Sequence, residues 1–242
     1  MRFLTKKWPA YIARAKIPCV KLIGAAVLGI VIFSQTDAVA ATDQECRATK
    51  KIPQIVLSQD RARTQLILDK SSNQITAFAK KVHAYKPIRG NKLLGLAYTQ
   101  MRTGVGVEVT GYKGARRICV SLGKVVFNFK TITSNIFVAR RFKPGTCAYR
   151  AVLAHEQKHM KITQKIQAAY TRKIIKKLTM RANLIQPFYA SNLERASKSL
   201  INQLTSAIQP LVKGFEAARA QENAKIDTPK SYRKTRSECA RW

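Results

Sequence analysis

Apolar and polar positions divide the chain into three stretches. A basic segment from Arg2 to Lys21 leads into an unbroken apolar run, Leu22 to Phe33, which Ser34 to Asp37 interrupt and Ala38-Val39-Ala40 close. A basic region, an apolar core of about a dozen residues and a small-x-small end predict a secretory signal peptide over residues 1–40, cleaved after Ala40. The run is shorter than the roughly 20 apolar residues that a membrane-spanning helix needs.

The second stretch is strand-rich, residues 53–141. Gln54 to Leu57 and Gln65 to Leu68 read as short strands, and Ser71-Ser72 as the cap of a helix through Ile75, Phe78, Ala79 and Val82. Val105, Val107 and Val109 then alternate with other residues. Ile118 to Leu122, Val125 to Phe129 and Asn135 to Ala139 follow, separated by Gly123 and by Thr131-Ile132-Thr133. Alternation with turn residues at this spacing predicts an antiparallel meander.

After Pro144-Gly145-Thr146 the period changes to that of a helix. Val152, His155, His159, Ile162, Ile166 and Ala169 form one stripe of a helix over about residues 148–181. Gln186-Pro187 breaks it. A second helix from about Ser191 carries Leu193, Ala196, Leu200, Leu204, Ala207, Leu211, Phe215 and Ala218 on one face. Pro210 should kink it, and Thr228-Pro229 should end it. The expected architecture is therefore one α+β domain over residues 41–242: an antiparallel strand meander, a long helical hairpin over 147–228, and a C-terminal tail over 229–242.

Charge and cysteines alter the picture. Six of the 45 Lys and Arg and one of the 12 Asp and Glu precede residue 41, leaving 39 basic and 11 acidic residues, a net +28. Such a balance suits an anionic envelope polymer or membrane surface. Export and the absence of a basic–aromatic module argue against nucleic acid as a partner. Cys46, Cys119, Cys147 and Cys239 remain after cleavage, and four cysteines in an oxidising compartment predict two disulfides with three connectivities. A Cys147–Cys239 bond would bring the C-terminus beside the start of the first long helix. Cys119–Cys147 with Cys46–Cys239 would staple the meander instead.

Chemistry enters at His155-Glu156-Gln157-Lys158-His159. Histidines four apart share one helix face, and both imidazoles can reach one ion at the roughly 2 Å of a zinc–nitrogen bond. Glu156 stands where H-E-x-x-H sites hold their general base. His83 has no ligand spacing and reads as structural or exposed. A catalytic zinc takes three protein ligands, and no histidine follows His159, so a carboxylate must complete the set. The downstream candidates are Glu194, Glu216, Glu222, Asp227 and Glu238. Hairpin geometry places about residues 213–231 opposite the histidines, which removes Glu194. Glu216 turns away beside Phe215. Glu222 continues the inward series, Asp227 sits where the helix ends, and geometry leaves the two level.

Cys147 through His159, together with Asn223-Ala224-Lys225-Ile226-Asp227-Thr228-Pro229-Lys230-Ser231-Tyr232 ahead of Cys239, resembles the bacterial family of predicted secreted zinc-dependent proteases. The resemblance covers roughly residues 100–242. It implies a zincin-like fold and active site holding Zn(2+), and it places Asp227 ahead of Glu222 as third ligand. In a site of that type Tyr232 is a suitable oxyanion donor. A zincin-like fold also offers an edge strand for substrate near the active helix, here the strand from Asn135 to Ala139. The expected function is a periplasmic or secreted zinc metallopeptidase acting on protein or peptide, with Glu156 as base. The competing expectation is a non-enzymatic, basic envelope-binding protein with zinc structural or absent.

Overall fold

The computed structural model describes residues 43–82, 92–113, 117–240 and 242. The expected signal peptide and His83 lie outside them. The elements run α1 (Asp43–Ala48), β1 (Gln54–Arg61), β2 (Gln65–Ile67), α2 (Ser72–Lys81), β3 (Gly95–Lys113), β4 (Ile118–Val138), α3 (Cys147–Leu184), β5 (Phe188–Ala190), α4 (Leu193–Ile226) and α5 (Pro229–Ser237).

The expected antiparallel meander is not what forms ahead of the two long helices. The strands make a five-stranded sheet in which β1, β2, β3 and β5 all pair with β4, and β2 runs parallel to it, Gln65 opposite Asn135 and Ile67 opposite Phe137. A meander pairs each strand with the next in sequence, whereas here one long strand serves every other. Helices and strands coexist, as in the broad α+β class. The error came from Gly123 and from Thr131-Ile132-Thr133, which look like turns but lie inside β4. Val125, Phe127 and Phe129 are buried on one side of an unbroken strand, and β-branched threonines extend it. β4 is paired with β2 at Asn135–Phe137, and on its other side the Ala139 N–H donates to the Leu94 carbonyl where β3 begins, so that segment is not the free edge expected for substrate.

The described residues form two compact units that share the long elements. The first comprises Leu57–Gly104, Phe127–Leu178 and Thr205–Trp242. Its core gathers Ile75, Ile136, Phe137, Val138, Val152 and Met160. Ser71 caps α2 by a capping box with Gln74, as its position before the apolar series predicts. Phe129 meets Phe215 edge to face at 5.1 Å, and Tyr170 closes on Gly214, where an added Cβ would stand 3.1 Å from its ring. Pairing 170 with 214 and 159 with 223 sets this part of α3 antiparallel to α4. Gly145, at φ +86°, makes the turn into α3 that an L side chain would resist. Thr146 Oγ1 then accepts from the Tyr149 N–H and caps the helix.

The other unit holds the described residues up to Val56, Val105–Val126 and Thr179–Leu204. There β5 pairs antiparallel with the start of β4, and Cys46 bonds to Cys119. The second disulfide joins Cys147 to Cys239 within the first unit. Where a tail was expected after residue 228, α5 forms: Thr228 accepts from the Ser231 N–H and Pro229 occupies the first turn. No helix among the described residues is long and apolar enough to cross a membrane.

Candidate metal centre

The site is built from one stretch of α3 and the α4–α5 junction. His155 and His159 project from adjacent turns of α3, with side chains 7% and 12% exposed. Asp227 follows the last residue of α4, where the approaching Thr228-Pro229 turns the chain. Its Oδ1 lies 3.2 Å from His155 Nε2 and 3.1 Å from His159 Nε2, and the two Nε2 atoms are 3.2 Å apart. Ligands bonded at about 2.0–2.1 Å in a tetrahedral arrangement stand about 3.3 Å from one another. The triangle is thus close to one face of a metal tetrahedron. His155, His159 and Asp227 form a group that could hold a metal ion.

Hydrogen bonding makes the fit sharper. Asn223 Nδ2 donates to the Arg219 carbonyl at 2.9 Å, which presents Oδ1 to His159 Nδ1 at 2.8 Å. An amide oxygen only accepts, so His159 Nδ1 carries the hydrogen. Its neutral ring then offers a lone pair at Nε2 to Asp227 Oδ1. Electron-rich atoms at this separation need a positive charge among them, either a proton on the ring or a metal ion. Without metal, burial works to lower the His159 pKa, but the hydrogen bond to Asp227 and the charges of Glu156 and Asp227 raise it overall. Burial would raise Asp227; the hydrogen bonds from His155, His159 and Tyr232 outweigh it and hold that carboxyl below its usual range.

Glu156 is 6% exposed and packs under β3. An added Cβ at Gly95 would stand 2.7 Å from its Oε1, so only glycine lets the carboxylate lie against the strand. Burial pushes its pKa up to about 7 against the opposing pull of His159 and His155 and a backbone hydrogen bond at Ala97.

Of the expected residues, the structure brings together His155, His159, Asp227 and Tyr232, with Glu156 beside His155. It does not bring Glu222, whose carboxylate is paired with Lys225 on the outside of α4. Tyr232, expected as an oxyanion donor, gives its hydroxyl hydrogen to Asp227 Oδ1 at 2.8 Å and sets its ring 5.3 Å from that of His155. In this arrangement it steadies the carboxylate. Asn223 and Gly95 were missed. An asparagine within a helix, where it is a weak former, was the available signal for the first.

Outer hydrogen bonds to a metal-bound histidine typically contribute 10–100-fold to affinity. We therefore expect Asn223→Leu to weaken metal binding by about that factor, while Asn223→Asp, which keeps an acceptor, retains it; competition against a chromophoric chelator measures both. Comparison with protein-family models, with curated proteins and with solved structures finds no significant match.

Proposed function

We propose that this chain is an exported zinc-dependent peptidase whose metal is held by His155, His159 and Asp227. The observation that carries the proposal is the convergence of two imidazole nitrogens and one carboxylate oxygen within 3.2 Å of one another, beside a buried Glu156. Zinc in such a donor set makes water acidic near neutral pH and polarises a carbonyl oxygen. The chain's own residues supply the rest. Glu156 takes the proton from the attacking water and returns it to the leaving amine. Asn223 fixes the His159 tautomer, and the Tyr232 hydroxyl keeps Asp227 Oδ1 turned inward. Protein or peptide is the proposed substrate, and the adjacent Glu156 favours hydrolysis over other uses of a two-histidine, one-carboxylate set. The two disulfides support an oxidising, periplasmic or secreted location.

The test is metal analysis of the purified chain beside His155→Ala. One zinc per chain in the parent and a loss of at least 10-fold in affinity in the variant are expected. Equal metal in both, or none in the parent, removes the proposal.

A further inference from the structure

The outer face of α3 carries a pattern that the metal centre does not use. The helix contains nine Lys and Arg and a single acidic residue, the buried Glu156. Lys158, Lys161, Lys165, Arg172 and Lys176 are all exposed. At 3.6 residues per turn they fall within an arc of about 60° along roughly 27 Å of helix. Thr163, Gln167 and Ile174 are buried on the opposite side. An ordinary solvated helix intersperses acids four residues from its bases. Here Lys161 and Lys165, and Arg172 and Lys176, stand as like charges one turn apart, an unfavourable arrangement for the isolated chain. None of the five takes part in an ion pair among the described residues.

From this we infer that the stripe is a docking surface for a linear polyanion bearing phosphate or carboxylate groups. A single file of cations matches a chain of regularly spaced anions. A membrane-surface helix pairs its cations with apolar side chains that enter the acyl region, and this arc contains none. The disulfides set the meeting in an oxidising compartment, which favours an envelope polymer over a nucleic acid. The stripe starts one residue before His159, so the polymer would lie along the helix that bears the metal ligands.

The experiment uses the full disulfide-bonded chain and fluorescently labelled long-chain inorganic polyphosphate, read by anisotropy over a salt series. Two variants with equal charge loss are compared. One carries Lys158→Gln, Lys161→Gln, Lys165→Gln, Arg172→Gln and Lys176→Gln. The other carries Lys51→Gln, Arg63→Gln, Lys80→Gln, Lys198→Gln and Lys213→Gln, all exposed positions outside α3. The stripe variant should bind at least 10-fold more weakly, and its log–log salt slope should flatten by about four, near 0.7–0.9 per lost contact. The other variant should stay within about twofold of the parent at moderate salt, since diffuse charge acts weakly beyond a Debye length. Equal losses in both variants overturn the inference and leave net charge alone as the cause. So does tight binding to phosphatidylglycerol vesicles with none to polyphosphate, which would make the face a membrane surface.

Discussion

Glu156→Gln is expected to leave metal at the site and to reduce hydrolysis of an unfolded protein such as casein by at least about 10²-fold, the usual contribution of a positioned acid–base group. Glutamine keeps the volume that fits under Gly95 and keeps an oxygen for the backbone bond at Ala97. It removes only the capacity to accept a proton. Since the side chain is 6% exposed and isosteric, no cavity opens, and the variant should unfold at a temperature no lower than the parent. The pair of readings, metal content and turnover, separates a base from a ligand: loss of both would place Glu156 in the coordination set instead. Gly95→Ala gives a second route to the same group. Its Cβ would sit 2.7 Å from Glu156 Oε1 and from Val152 Cγ1, so the carboxylate must move, and turnover should fall with metal retained.

The helical half of the molecule was more legible than the sheet. His155 and His159 announce themselves by spacing, and the stripe through Val152 and Ile166 gave α3 its span to within a few residues. The third ligand was harder because helix counting cannot resolve the last turn. Continuing the inward series from Phe215 to Ala218 pointed to Glu222, whereas the side chain that reaches the histidines is Asn223, eight residues beyond Phe215. Asp227 arrives by a different route: α4 has ended at Ile226, so its direction is set by Thr228-Pro229 and the Tyr232 hydroxyl rather than by helical period. The sheet was misread for a related reason. Alternation identifies a strand but not its partner, and the parallel match of Gln65–Ile67 with Asn135–Phe137 joins segments 70 residues apart that no local pattern links. Gly123 illustrates the local part of the error, since a glycine among Leu122, Val125 and Phe127 is accommodated by a long strand when neighbouring side chains on both sides are buried.

Removing the Cys147–Cys239 bond, by changing both residues to Ser, should cost about 2–5 kcal/mol, because the bond spans 92 residues and its loss restores that freedom to the unfolded chain. For a chain of this size each kcal/mol shifts the melting temperature by roughly 2–4 °C, so a fall on the order of 10 °C is expected in the metal-free protein. The site should weaken with it. Helix α5 buries none of its residues, and the contacts that hold it include the disulfide, Tyr232 against Asp227 and His155, and Trp242 against Phe142. With the crosslink gone, Asp227 is kept in place by fewer restraints, and zinc affinity should fall along with stability. Zinc at 100 times its dissociation constant returns about 2.7 kcal/mol by mass action, so added metal should recover part of the lost melting temperature. Breaking Cys46–Cys119, which belongs to the other unit, should lower stability while leaving zinc affinity unchanged. Calorimetry with and without zinc on the two double-serine variants makes the comparison; equal effects on affinity would show that the C-terminal crosslink has no particular bearing on Asp227.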